Sequence, residues 1–337
     1  MDFPFFTMKQ FKNSISILFL AIAFASCSTD LEVTADYEEA TEIYGFLNPD
    51  TTTQVIRIGK VFLGNGDVST YAKSLDSINY NPADIEVTLE YYKSGVLQQP
   101  VITMKDTTVT QTSGGGDFAN VSLLYITREK IKQEAGGSYK IVVHNKKTNH
   151  FATAESQVIP ALSIENPQGG IAFISGDGQY NKIGVKWTTP TNAYQYWPRF
   201  RFKYTEISKV DTSKREDKYV DFLLTPVILE NTVSPSPAAT LILNEIRKKV
   251  QPDANVVRKI GNFEFTVPAI QQEMYNYMQV AKPTTNILQQ RPIFTNIKGG
   301  VGVFSYKTVR SKNYLYTNPT LDSIVGSIYT RKLGFVR

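Results

Sequence analysis

Apolar and polar residues alternate with a period of two along much of this chain, a rhythm that predicts β-strands. Ile85, Val87, Leu89 and Tyr91 alternate with Glu86, Thr88 and Glu90, the pattern of a strand with one buried and one polar face. Ile43-Tyr44-Gly45-Phe46-Leu47 runs into the turn cluster Asn48-Pro49-Asp50, and Gln54 to Phe62 returns as a second strand. Ser94-Gly95 turns the Ile85 strand into Val96 to Met104. Tyr139, Ile141 and Val143 share a face before the turn Asn145 to Asn149, and Phe151 to Ile159 completes a hairpin. Short strands at turn-punctuated spacing, ending in this way, predict a sandwich of immunoglobulin or fibronectin type III kind. Tyr139 is placed to be either its corner tyrosine or a plain core residue.

Pro160 and Asn166-Pro167-Gln168-Gly169-Gly170 interrupt the pattern and mark a domain boundary. Beyond it Ile183, Val185 and Trp187 alternate with Gly184 and Lys186, and Phe200, Phe202 and Tyr204 alternate with Arg199, Arg201 and Lys203. The order strand, tryptophan, Thr/Pro break, strand resembles the opening of a fibronectin type III domain, with Trp187 in the core. Helical spacing then takes over three times. Ser236-Pro237 reads as N-cap and first helical residue, followed by Ala239, Ile242, Leu243, Ile246 and Val250. Ile270, Met274, Tyr277 and Met278 form a second stripe; Leu321, Ile324, Val325 and Ile328 form a third behind Asn318-Pro319. Each stripe is expected to pack against a sheet. The expected fold is mainly β: an immunoglobulin- or fibronectin-like sandwich over 41–160, then a second β-rich domain over 161–337 with two or three short helices.

The N-terminus breaks from this texture. Lys9 and Lys12 lead into an apolar run from Ile15 to Ala25, small residues follow at Ala25 and Ser26, and Cys27 is the single cysteine of the chain. That order is a bacterial lipoprotein signal. Residues 1–26 are then removed and Cys27 carries a lipid such as palmitate. The run is shorter than the roughly 20 residues that span a bilayer, so the lipid is the expected membrane anchor. Asp30, Glu32, Asp36, Glu38 and Glu39 make residues 27–40 an acidic tether. A net charge of +5, with the basic runs interleaved with acids or on helix faces, reads as solvated surface and excludes a nucleic-acid binder.

Candidate chemistry is sparse. The only two histidines, His144 and His150, flank one hairpin turn. They cannot complete a zinc set without cysteine, and the same scarcity argues against Ser-His-Asp or Cys-His hydrolysis. Gly299-Gly300-Val301-Gly302 lacks the Gly-Lys-Ser/Thr ending of a phosphate loop and reads as strands whose backbones approach closely. No cofactor, metal or catalytic residue is expected. Paired carboxylates of a hydrolase stay open, because the 31 acids offer no way to choose a pair. Tyr194, Tyr196 and Trp197 form a candidate platform for stacking a glycan or peptide. Thr51, Ser77 and Thr107, each after an aspartate, resemble the Asp-Ser/Thr-aliphatic O-glycosylation site of Bacteroidota, as does Ser323 less closely.

The chain as a whole resembles the uncharacterised outer-membrane lipoproteins of Bacteroidota that are often encoded beside TonB-dependent receptors. The residues that carry this are the Cys27 signal, Ile43 to Leu47 with Ile56 to Phe62, Phe294-Thr295-Asn296-Ile297, and Gly302-Val303-Phe304-Ser305. The resemblance implies a lipid-anchored protein of the outer membrane, facing the cell exterior, in the company of a β-barrel. Three functions fit: a non-enzymatic accessory or docking subunit of such a barrel, a module capturing glycan or peptide for a TonB-dependent transporter, and a carboxylate-dependent hydrolase.

Overall fold

Two sheets pack face to face over the first half of the chain. The structure, a computed structural model, describes residues 40–61, 75–110, 121–228, 235–282 and 294–337. Its first strands are β1 (Ala40–Leu47) and β2 (Gln54–Val61), followed by a helical turn α1 (Leu75–Ile78). Then come β3 (Ile85–Lys93), β4 (Val96–Thr103), β5 (Lys105–Thr110), β6 (Val121–Thr127), β7 (Gly137–Asn145) and β8 (His150–Gln157). One sheet runs β1-β2-β6-β5 and the other β4-β3-β7-β8. That division of eight consecutive strands is the immunoglobulin-type arrangement expected from the sequence. The Ile85 strand buries Ile85, Val87, Leu89 and Tyr91, as its alternation requires. Ser94 and Gly95 make the β3–β4 turn with φ of 50° and 79°, a left-handed pair that suits a two-residue hairpin. Tyr139 is the corner tyrosine: its buried hydroxyl accepts a hydrogen bond from the Lys132 N–H at 2.7 Å.

The second half contributes β9 (Ile164–Asn166), β10 (Lys186–Trp187), β11 (Gln195–Tyr196), β12 (Arg199–Ser208), β13 (Arg215–Leu223) and β14 (Val227–Ile228). These are followed by α2 (Ala239–Lys249), β15 (Val256–Ile270), α3 (Gln272–Val280), β16 (Gly300–Tyr314), α4 (Asn318–Gly326) and β17 (Phe335–Val336). Antiparallel β13-β12-β15-β16 is its main sheet. One face buries Phe200, Phe202, Tyr204, Phe263 and Phe265 in an aromatic core that includes Trp187. Helix α2 buries Ala239, Ile242, Leu243 and Ile246, the stripe read from the sequence. It starts at Ala239, however, and not at Ser236-Pro237. Pro237 accepts the Ile183 N–H at 2.9 Å and Ala238 bridges Lys182, so this stretch is extended until those bonds end. Ile270 likewise closes β15 and does not belong to the helical stripe of α3.

Strand β16 belongs to both halves. Its first residues, Gly300–Tyr306, pair in parallel with β1, and Lys307–Tyr314 pair antiparallel with β15. The two main sheets are thereby one continuous sheet, β13-β12-β15-β16-β1-β2-β6-β5, across the boundary expected near residue 160. The described residues form one compact unit. Close approach here demands glycine. A Cβ on Gly300 or Gly302 would stand 2.1 Å from the carbonyl oxygen of Thr41 or Ile43, and Gly302 has φ of 114°. Before the strand, Lys298 exchanges both backbone hydrogen bonds with Thr153, covering part of the free edge of β8. Residues 294–297 do not form a strand. The Asn296 amide takes the strand's place, accepting from Phe304 N at 3.0 Å and donating to Phe304 O at 2.7 Å.

Polar side chains fix this junction. The buried Gln271 carbonyl accepts from Ser156 Oγ at 2.6 Å, Ser305 Oγ at 3.0 Å and Tyr306 N at 2.7 Å. Its amide donates to Gln157 O at 2.5 Å, so one residue at the end of β15 satisfies groups on β8 and β16. Asp50, in the β1–β2 turn, accepts from Thr308 Oγ1 at 3.1 Å and Val309 N at 2.6 Å.

Candidate functional site

The proposed aromatic platform does not form. Gln195–Tyr196 is a short strand, and its pairing with Ile270 and Ala269 turns Tyr196 inward. Tyr196 is fully buried, 5.6 Å from the Trp187 ring, and burial pushes its hydroxyl up to about 12. Tyr194 is half-buried against Tyr275, with ring centroids 4.9 Å apart. Trp197, also half-buried, is held through its backbone N–H, which donates to Pro268 O at 3.1 Å. A ligand cannot lie across three rings when the middle one is in the core.

The histidines are kept apart by register. His144 lies opposite Phe151 and stacks on it at 4.1 Å, whereas His150 lies opposite Asn145, on the other face of the sheet. His150 Nε2 is 2.7 Å from Gly299 O, a contact that adds to the Lys298–Thr153 pairing. Of the three candidate glycosylation residues, only Thr51 lies in a turn, and its single hydroxyl proton is shared between Asn48 O and Thr53 O, each 3.1 Å away. Ser77 is half-buried in α1, and Thr107 is half-buried within β5 opposite Leu124. Cys27, the signal peptide and the tether up to residue 39 lie outside the described residues, and Ala40, the tether's last residue, opens β1.

Among the described residues, the carboxylates with shifted titration move down. Arg201 donates to both oxygens of Asp221, at 2.7 and 2.8 Å, and lowers its pKa. Burial alone would raise Glu206, but hydrogen bonds from Lys218 and Arg258 outweigh it and hold it low. Glu264 follows the same logic: burial raises it, and bonds from Lys203 and Thr266 prevail. Asp177, Asp211 and Glu245 are lowered at the surface by Ser175, Ser213 and Lys248. Arg258, almost fully buried, also donates to Leu333 O and to Gln251 O at 2.9 Å, tying the C-terminal segment to the sheet. Among the described residues there is no group of three or more metal-ligating side chains.

One concave surface escaped the sequence reading. A cleft of about 580 Å³ opens where β13 ends, between Leu223, Leu224 and Pro226 on one side and Pro235, Pro237 and Leu241 on the other. Leu223 is 75% exposed and Leu241 53% exposed. Arg199 lies directly opposite Leu223 in the β12–β13 ladder, on the same face and with Cβ atoms about 5 Å apart. Its Nε is buried without a hydrogen-bond partner among the described residues. The available signal was Leu241, an apolar residue off the buried stripe of α2. Residues 229–234, which join the two walls in sequence, lie outside the described residues.

No helix among the described residues is long and apolar enough to cross a membrane. No curated protein matches the chain. One family description matches residues 29–313, a span that takes in both halves and the shared strand β16 up to Asn313. It is a domain of unknown function, and the chain belongs to that family, DUF4249.

Proposed function

We propose that the chain is a lipoprotein of the outer membrane, anchored through Cys27 and facing the cell exterior, that serves as a non-enzymatic accessory or docking subunit of a β-barrel complex. The supporting observation is electrostatic. Among the described residues, each carboxylate with a shifted pKa is pushed down, and the partly buried Asp221, Glu206 and Glu264 are pushed down by hydrogen-bonded cations, as ion-pair partners are. A glycosidase acid needs the opposite shift, upward, to hold its proton. The Cys27 signal and the acidic residues after it support the location. The test is affinity capture of the native lipoprotein from detergent-solubilised outer membrane. A β-barrel recovered in stoichiometric amount, and lost when Cys27→Ala prevents anchoring, is the expected result; recovery of the lipoprotein alone rejects the docking role.

A second reading, capture of a small ligand for a transporter, is favoured by one observation. The cleft beside Leu223 and Leu241 has a volume within the ~300–1,000 Å³ range of small-molecule sites and exposes apolar side chains at its rim. That cleft replaces Tyr194, Tyr196 and Trp197 as the place to look for a ligand.

A further inference from the structure

We infer that the open part of the outer face of the β1-β2-β6-β5 sheet docks a protein of the same membrane, one presenting a flat apolar patch that carries a carboxylate; this rests on the docking reading above. The signal is in β6. Leu123-Leu124-Tyr125-Ile126 is an unbroken apolar run, whereas β3, in the other sheet, alternates cleanly. Such a run marks a strand covered on both faces. Leu123 and Tyr125 are buried between the sheets, and Leu124 and Ile126 point the other way. Register extends this outer surface. Ile126 lies between Val55 of β2 and Lys105 of β5, Leu124 lies between Arg57 and Thr107, and Val109 follows on β5. Helix α3 covers the β1 side, where Tyr277 stands 5.7 Å from Tyr44. Beyond it Val55 and Val109 are 46% and 45% exposed.

The charges choose the occupant. Arg57 meets Glu42 at 3.6 Å with its side chain still 42% exposed, and Lys105 has no ion-pair partner among the described residues. Lipid tails offer nothing to the Arg57–Glu42 pair, so a bilayer is a poor cover. A second copy brings the same excess of cations. A protein patch with apolar side chains and a carboxylate meets both needs, and the mixture of aliphatic residues, tyrosine and one arginine is that of an interface centre. Past Lys105 the face ends in a hollow of about 380 Å³, whose walls include Val101, Ile102 and Ile126 with Lys105, Arg128 and Glu129. An anchoring side chain of the partner fits there. Residues 28–39, which join the lipid-bearing Cys27 to Ala40 of this sheet, extend at most about 45 Å, and that keeps the partner at the same membrane.

The experiment places the photo-crosslinking amino acid p-benzoylphenylalanine in the full lipoprotein, in cells, at Val55 or at Val109. Val210, 89% exposed in the β12–β13 turn, is the control position. Val55 and Val109 should both yield an adduct with the same membrane protein, on an apolar peptide close to an Asp or Glu, and Val210 should not. Val55→Glu should lower recovery of that protein from detergent-solubilised membrane about tenfold, and Lys105→Glu several-fold at low salt, with melting unchanged. An adduct of twice the chain's own mass overturns the proposal in favour of a second copy. Crosslinks within the chain, with a lowered melting temperature for Val55→Glu, overturn it in favour of an internal cover, and lipid adducts in favour of the bilayer. A membrane protein that is recovered equally with Val55→Glu, and crosslinks from neither Val55 nor Val109, overturns the face and leaves the docking reading standing. Recovery of no membrane protein by the unmodified lipoprotein removes both.

Discussion

Tyr139 and Tyr306 grip the same residue from two sides. Lys132 N–H donates to the Tyr139 hydroxyl at 2.7 Å, and the Tyr306 hydroxyl donates to the Lys132 carbonyl at 3.1 Å. The two rings lie nearly parallel, with centroids 6.5 Å apart. One tyrosine comes from the sandwich and the other from the strand shared with the second half, so a corner familiar from immunoglobulin-type domains is here doubled.

Removing either hydroxyl should therefore destabilise the whole chain. Tyr139→Phe leaves a Lys132 N–H without its acceptor and should cost about 1–3 kcal/mol; Tyr306→Phe should cost about 1 kcal/mol. Because both act on one peptide, the double variant should deviate from additivity by at least about 0.5 kcal/mol. Urea unfolding of the four proteins measures this, and strict additivity would show that the two hydroxyls work independently.

Gly302→Ala should be far more damaging than its size suggests. The new Cβ meets the Ile43 carbonyl at 2.1 Å from a backbone with φ of 114°. Strain of this kind costs on the order of 1–3 kcal/mol before the clash is counted, so a loss of about 3 kcal/mol or more is expected. Gly184→Ala, where nothing lies within 4 Å, should change stability by no more than about 0.5 kcal/mol. Similar melting of the two variants would mean that β1 and β16 separate easily.

Trp187→Ala and Tyr196→Ala should each cost about 3–5 kcal/mol as large-to-small core changes. Trp187 is 8% exposed and Tyr196 not at all, and their rings touch. A Tyr196→Ala variant that melts like the parent and loses affinity for a glycan would restore the platform to consideration.

Acid should weaken the protein partly through Glu206. Its folded-state pKa is held below the ordinary Glu value of about 4.3, so its contribution is complete above that pH. It fades as pH falls through the lowered folded-state value, because protonation ends the attraction to Arg258 and Lys218. Glu206→Gln should be less stable than the parent at neutral pH and should show a flatter acid limb. Parallel stability curves from neutral pH down to pH 2 would rule Glu206 out as a source of acid sensitivity.

Cys27→Ala should abolish incorporation of a fatty-acid probe in cells. Label retained by this variant contradicts anchoring at Cys27, since it is the chain's single cysteine.

What the sequence revealed follows from how local each signal is. The strands of the sandwich were legible because one face is buried and one solvated, so alternation is clean, as in Ile85 to Tyr91. The stripe of α2 was equally plain, but its start was not. Ser236-Pro237 has the right chemistry for a cap, and pairing with residues 181–185 overrides it. Tyr196 was misplaced for a related reason: two residues of strand carry almost no periodicity, and only β15 decides which way the ring points. The glycine run correctly announced a close backbone approach, yet nothing local could name β1 as the partner. The cleft is less legible still. Leu223 and Leu241 look like ordinary scattered apolar residues until α2 and the end of β13 are brought together.

The pairing of β1 with β16 also sets an order in time. The chain is made from its N-terminus, so Ala40–Leu47 emerges long before its neighbour Gly300–Tyr306. Until then β1 has an open edge on the side away from β2. That edge stays unpaired while the rest of the chain is still being delivered, and contacts this distant in sequence form slowly. A chain interrupted anywhere before residue 300 leaves that edge unsealed and available to other strands. Completion of this sheet thus waits for a segment some 260 residues further along the chain.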